Sequence, residues 1–417
     1  MDNIKSHLTA TLQYVTTLLK WIVVGCCIGL VGGAVGTLFH VAVDVCTQDR
    51  TTYPKLMFLL PFAGIVIVFT YRLLQVEGRG TNTIIKSINA GADIPILLVP
   101  AIFIGTVLTH LGGGSAGREG AALQLGGGIG AKVGALFRLD ERDQREATLC
   151  GMSALFAALF GTPLTAAMFA MEVISVGIVH YSAFVPCLIS ALTGCFVARF
   201  FGVEPTAYVV SAVPALELHT LVAAAVLAAV FAVVSILFCS ALHHGEAWMT
   251  RVLPNPYIRV VAGGLLILLL TVLLRATDYN GAGVDVIQRA IEGTARPEAF
   301  LLKILFTVIT IGCGFKGGEV VPTFFVGATL GCVLGPLVGL PASFAAALGL
   351  VSLFCGVVNC PVTSIFLAIE LFGGAGLIFY ALSCALSYML SGYYGLYSSQ
   401  KIMYSKLRTE YINTKAH

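Results

Sequence analysis

The chain has 417 residues, 24 basic and 21 acidic, so charged side chains make up only 11% of it. A soluble domain carries roughly 25% charged residues, and a surface facing water cannot be coated from so small a supply. Soluble enzymes, nucleic-acid binders and disordered regulators are thereby excluded, leaving a chain that lives in a lipid bilayer.

The charges are grouped as well as scarce. Between Thr148 and Ala198 only Glu172 is charged, and between Glu319 and Lys401 only Glu370. Each stretch exceeds the ~20 apolar residues of one spanning helix, so each must fold back several times. The apolar runs are continuous rather than alternating with period two, which excludes a β-barrel. The expected class is an all-α polytopic membrane protein of ten or more segments, with residues 1–417 forming a single transmembrane domain. In chain order the candidate segments are 21–45, 56–74, 94–111, 120–137, 148–171, 182–202, 218–242 and 258–275, then 299–313, 322–339, 341–357, 362–373 and 375–391. The first is too long for a signal-peptide core and lacks a clear cleavage site, so it reads as a retained helix. Residues 138–146 (RLDERDQRE) carry seven charges in nine positions and read as a solvated loop. Lys5 and Lys20 lie near one end, and Lys401, Lys406, Arg408 and Lys415 crowd the other. The positive-inside tendency then puts both termini in the cytoplasm of a multi-pass plasma-membrane protein. Many segments are interrupted by Gly or Pro, and the backbone groups this frees must face a protein-lined cavity rather than lipid.

The twelve cysteines fall singly in apolar runs apart from Cys26–Cys27, with no CxxC pair. They read as small buried side chains, with no metal site. No HExxH, P-loop or dinucleotide fingerprint is present, so neither a cofactor nor ATP-driven transport is implied.

The chain contains its own pattern twice. Residues 80–88 (GTNTIIKSI) match 283–291 (GVDVIQRAI) at an offset of 203; 117–119 (GRE) match 317–319 (GGE) at 200; Pro163 through Glu172 match Pro361 through Glu370 at 198. Three matches in one order at a nearly constant offset indicate internal duplication, the mark of a transporter or channel built from two related halves, about 20–202 and 215–405. An inverted arrangement of the halves, with broken or re-entrant helices, would bring their loops face to face near the membrane midplane.

Two repeated loops, Gly112–Gly120 and Gly314–Glu319, lead straight into apolar helices. Glycine permits close backbone approach, and a helix start presents unpaired N–H groups with about half a positive charge. Two such starts aimed at one point suit a small anion. Gly80–Asn82 opens a third helix. Glu119 and Glu319, at matching repeat positions, are then the unusual residues: an ionised carboxylate competes with an anion there and a protonated one vacates the place. Intramembrane ionisable groups mark function by default, and this pair reads as proton-coupled anion movement. The plainer alternative is that each carboxylate caps its own helix or pairs with Arg118 or Lys316. Glu172 and Glu370, late in their helices, read as capping or helix-pairing residues. Gly113–Gly117 also fits G-x-S-x-G, the nucleophile pattern of serine hydrolases, with His40, His110 and His180 as available bases. Ser115 has no counterpart in the second repeat, so an intramembrane serine protease is a distant alternative, and the chain is not expected to be an enzyme.

These residues resemble the CLC family of chloride channels and anion/proton antiporters. Gly117–Gly120 resembles the family's GREGP loop, with Glu119 as the gating glutamate. Phe137–Leu139, Ala158–Glu172 and Asn359–Glu370 resemble later helices of the family. Leu396–Ser398 resembles the pore tyrosine at the start of the last helix, so Tyr397 would touch the central anion. The likeness covers roughly 20–405 and implies a homodimer with one pore per subunit. A short cytoplasmic tail (406–417) would follow, without the regulatory CBS domains of many relatives. It also implies an anion path formed by Gly80, Thr81, Asn82, Gly117, Arg118, Gly120, Gly318, Val320, Val321 and Tyr397. The departures carry information. Ala121 replaces the proline of GREGP, and residues 78–82 (GRGTN) replace GSGIP, so either Arg79 or Thr81 stands for the central serine. Residues 318–322 (GEVVP) replace GxFxP, and the internal proton-transfer glutamate of chloride/proton exchangers falls at Val173. Together these resemble the bacterial fluoride/proton antiporter branch, in which fluoride leaves as protons enter; Glu319 would then be a second protonation site or shape a pathway for fluoride. A chloride channel or chloride/proton exchanger is the alternative within the family.

Overall fold

The computed structural model describes residues 2–91 and 93–416. Met1, Ala92 and His417 lie outside the described residues, as do the side chains of 2–6 and 8–10, including the Lys5 used in the charge argument. Sixteen α-helices and three short strands are present among the described residues. The first eight helices are α1 (Asp2–Thr52), α2 (Leu60–Leu73), α3 (Thr81–Ala90), α4 (Leu98–Leu111), α5 (Glu119–Leu136), α6 (Glu141–Phe160), α7 (Pro163–Glu172) and α8 (Phe184–Phe200). The second eight are α9 (Leu218–Val252), α10 (Pro256–Leu274), α11 (Val284–Ile291), α12 (Ala299–Gly312), α13 (Val320–Leu334), α14 (Ala342–Val358), α15 (Pro361–Phe372) and α16 (Leu377–Leu390).

Six spans, led by Thr11–Thr52 and Leu218–Val252, are long and apolar enough to cross a membrane. Five more apolar helices have only 10–17 residues. At 1.5 Å per residue the 14-residue α4 reaches about 21 Å, short of a ~30 Å hydrocarbon core. Such half-length helices must start or stop inside the protein. The expected segment 148–171 is one such case: Gly161, with φ of 71°, and Pro163 split it into α6 and α7, because proline removes the N–H that would continue the ladder. The expected solvated loop 138–146 is largely helix. Asp140 accepts hydrogen bonds from the Arg142 and Asp143 amides and caps α6, with Glu141 and Asp143 in its first turn; acidic residues favour a helix start rather than a coil.

The packing repeats between the halves. α5 packs on α3, α4 and α6, and α13 packs on α11, α12 and α14; α1 packs on α8, and α9 on α16. Equivalent helices meet each other across the middle: α2 with α10, α5 with α13, α7 with α15. Close crossings need small residues. A Cβ on Gly126 would strike the Gly151 backbone where α5 crosses α6, and one on Gly327 would strike Gly349 where α13 crosses α14. Small-residue contacts of this kind let helix backbones approach in a membrane protein. The outer faces carry large exposed apolar side chains such as Phe62, Phe69, Phe196, Val233, Leu265 and Val272, as lipid contact requires. All twelve cysteines are free, nine of them buried.

The structure corrects the sequence reading at the C-terminal end. Among the described residues, no helix follows Tyr397. The chain forms a hairpin, β2 (Lys401–Tyr404) antiparallel to β3 (Tyr411–Lys415), and β2 pairs in parallel with β1 (Ser175–Val176) after α7. β-branched and aromatic residues (Ile402, Tyr404, Tyr411, Ile412, Thr414) suit this short ladder.

Candidate functional site

The centre of the molecule is where the two Gly-rich loops meet. Gly117 and Gly318 exchange backbone hydrogen bonds in an antiparallel bridge, N···O 2.6 and 2.7 Å. The chain directions are therefore opposite at the junction, and α5 and α13 leave it in opposite senses. A second reciprocal pair flanks the bridge. The Ser115 amide donates to Thr310 Oγ1 at 2.9 Å, and the Lys316 amide donates to Thr109 Oγ1 at 3.2 Å. Each threonine sits on the helix before the opposite loop, so each half holds the other's loop.

These contacts set the internal register. Ser115 answers to Lys316 and Thr109 to Thr310, an offset of 201; α5 begins at Glu119 and α13 at Val320, again 201 apart. The expected equivalence of Glu119 and Glu319, at an offset of 200, is thus off by one residue. Glu319 answers to Arg118 and Glu119 to Val320. The local string match GRE/GGE placed two glutamates together, whereas the backbone pairing that positions them obeys the neighbouring spacing.

Despite the slip, the two carboxylates cross over. Glu119 Oε2 accepts from the Arg118 amide at 2.9 Å and lies beside Gly117 and the Val321 amide nitrogen, at the start of α13. Glu319 Oε2 lies against Gly120, at the start of α5. A Cβ on Gly117 would collide with the Glu119 carboxylate, so this glycine is required for the close approach. Glu119 is fully buried, and its Oε1 has no hydrogen-bond partner. Arg118 Nε stands 3.9 Å from that oxygen, but Arg118 Nη1 is committed to Asp44 Oδ1 at 3.0 Å. Glu319 makes no side-chain cap to its own helix, and Lys316 does not reach it; the Lys316 ammonium lies 4.6 Å over the Tyr71 ring. Glu246 and Lys316 share a cavity wall with Glu319.

A cavity of about 360 Å³ ends at this junction. Of the residues expected to form the anion path or to carry the proton, Gly80, Thr81, Asn82, Glu319 and Tyr397 are on its wall. Gly117, Arg118, Glu119, Gly120, Gly318, Val320 and Val321 are not; they form the sealed plug beyond it. Thr81 is buried and its hydroxyl donates to the Gly120 carbonyl at 3.3 Å, while Arg79 is exposed on the cavity wall. Thr81 is therefore the residue that reaches the α5 start. Asn82 Oδ1 accepts from the Ser399 amide at 3.0 Å, which draws the α3 start against the Tyr397 turn. Tyr397 is 2% exposed and its hydroxyl has no partner. Lys316, named from sequence only as a pairing partner, lines the cavity; Gln124, His243 and Glu246 also line it and were missed from sequence. Gln124, which donates to Thr81 Oγ1 at 3.1 Å, is the single polar side chain in residues 120–131 and could have been flagged. His243 and Glu246 arrive from the distant α9, with no local signal.

Glu172 and Glu370 have the capping role read from sequence, by exchange between halves. Glu172 Oε2 accepts from the Thr363 amide at 2.8 Å and its hydroxyl at 2.6 Å, with Oε1 on the Val362 amide at 3.2 Å. Glu370 accepts from the Leu164 and Thr165 amides at 3.0 and 2.8 Å. The hydroxyl of Ser115, the candidate nucleophile, is paired with Thr307 Oγ1 at 3.0 Å rather than with a histidine.

Comparison with known proteins agrees with this architecture. The family described as voltage gated chloride channel matches residues 62–392. The "Chloride/fluoride channel protein" of Pseudomonas syringae pv. tomato is 38% identical over 395 residues, covering 93% of this chain and 87% of that one. The H(+)/Cl(-) exchange transporter ClcA of Vibrio cholerae is 27% identical over 385 residues, 82% of this chain and 80% of the other. A crystal structure of a CLC-type fluoride/proton antiporter superposes with a TM-score of 0.89 at 34% identity, covering 92% of this chain and 98% of that one. A cyanobacterial Cl-/H+ antiporter shares the fold, with a TM-score of 0.78 at 20% identity over 89% of this chain and 94% of its own. The chain belongs to the CLC family of membrane-embedded anion channels and transporters.

Proposed function

We propose that this protein is a secondary transporter that exports fluoride in exchange for protons, driven by the proton gradient. The observation that carries the reading is the crossed pair of glutamates at the loop junction: Glu119 sealed, with one oxygen unpartnered, and Glu319 one step away at the end of the cavity. An anion and a carboxylate compete for the same helix-start N–H groups. Protonation of Glu119 frees its place for the anion, and loss of the proton returns the carboxylate to it, so each movement of one species is tied to the other. Glu319 supplies the second protonation site on the cavity side. The buried Val173 offers no titratable group, so the proton route passes through the cavity rather than through the position used by chloride/proton exchangers. Fluoride is small and strongly hydrated, and backbone N–H groups with the Tyr397 hydroxyl are the donors that replace its water. The names of the Pseudomonas relative and of the antiporter structure support fluoride as the anion. The same proposal includes a homodimer with one pore per subunit and both termini in the cytoplasm.

The test is anion efflux from proteoliposomes holding the purified protein, with fluoride or chloride supplied and external pH recorded. Fluoride flux accompanied by proton uptake is expected. Faster chloride than fluoride movement overturns the selectivity, and anion flux with unchanged pH overturns the exchange.

A further inference from the structure

We propose that Gln400 is a positioning residue for Tyr397, tying the turn that carries the pore hydroxyl to helix ends from both halves of the molecule. The proposal rests on Tyr397 as an anion ligand. Tyr397 has no side-chain hydrogen bond of its own, so the location of its hydroxyl follows from the backbone turn. That turn is closed by the Gln400 amide donating to the Tyr397 carbonyl at 2.9 Å.

The Gln400 side chain is fully buried, and every polar atom on it is used. Its Nε2 donates to the Val173 carbonyl just past α7 and to the Val358 carbonyl at the end of α14, both at 2.9 Å. Its Oε1 accepts from Asn359 Nδ2 at 3.2 Å. The amide orientation is unambiguous, because reversing it would set an oxygen against two carbonyl oxygens. Helix-end carbonyls lack partners within their own helices, and one NH2 group here satisfies one from each half. The hairpin locks the arrangement from the other side. The Ala416 amide donates to the Gln400 carbonyl at 3.1 Å, and Lys406 donates to Asn359 Oδ1, to the Tyr388 carbonyl at 2.9 Å and to Ser391 Oγ at 3.1 Å. Where the sequence reading expected a helix to carry the tyrosine, a strand-braced turn does so, with Gln400 as its anchor.

The experiment measures fluoride-driven exchange in proteoliposomes for the full chain, for Y397F, for Q400M and for the double variant, each over a range of fluoride concentrations. A merely structural defect lowers the number of active molecules and hence the maximal flux, leaving the half-saturating concentration unchanged. A misplaced hydroxyl raises that concentration in the molecules that remain active. Y397F is expected to raise it about tenfold, the loss for one hydrogen bond to a charged group. Q400M is expected to raise it by a similar factor, and the double variant no further, since both changes remove the same contact. A Q400M effect confined to maximal flux, or a double variant showing the product of the two factors, overturns the proposal. A silent Y397F instead overturns Tyr397 as an anion ligand, a separate failure.

Discussion

The molecule uses the same device twice, and the two copies differ. At the outer pair, Glu172 caps α15 and Glu370 caps α7, related by an offset of 198 at both amide contacts, with the Thr363 hydroxyl an additional donor to Glu172 alone. Both carboxylates accept from two successive amides and neither has a free oxygen. At the central pair, Glu119 and Glu319 also sit at each other's helix starts, but one residue out of register. There Glu119 keeps an unpartnered oxygen and Glu319 faces a cavity. The matched exchange is a structural clamp. The mismatched one leaves one oxygen of the Glu119 carboxylate without a partner, which suits the proton exchange proposed for it.

The comparison can be broken from its central side first. Glu119→Gln removes the exchangeable proton at the sealed position, and proton movement recorded with fluoride flux is expected to fall to background; unchanged coupling would make Glu119 another clamp. Glu319→Gln should weaken coupling less completely, measured as fewer protons moved per fluoride. If neither flux nor coupling changes, Glu319 is structural. Mutating the clamp should do the reverse. Glu172→Ala strips three hydrogen bonds from a buried helix start. It should destabilise the protein by about 2–3 kcal/mol, read as a lowered thermal midpoint in detergent, with the proton-to-fluoride ratio unchanged. Glu370→Ala, at a less buried start, should cost about 1 kcal/mol by the same measurement. A change of coupling ratio in either clamp variant would erase the distinction between the pairs.

Much of the fold was legible because its signals are local. Apolar runs marked nearly every long helix, Pro163 and Pro361 marked helix starts, and the repeated strings announced two halves. The charged segment 138–146 misled because charge density suits a loop and a capped first turn equally well, and only the Asp140 hydrogen bonds separate them. The site was legible in part. Glycine-flanked glutamates in an apolar chain are conspicuous, yet their register was misread because a three-residue match with two identical letters cannot reveal which backbone groups pair. Gln400 carried no sequence signal; its importance depends on carbonyls 227 and 42 residues away.

By itself the sequence determined that the protein is a duplicated helical membrane protein, and which acids stand at Gly-rich helix starts. These depend on composition and on residues near one another in the chain, where the bilayer's demand for paired backbone groups leaves few choices. Only the tertiary structure decided the one-residue slip between Glu119 and Glu319, the reciprocal capping by Glu172 and Glu370, and the hairpin that braces the Tyr397 turn. Each depends on hydrogen bonds between segments far apart in sequence, and their distances and directions are set by how the two halves pack.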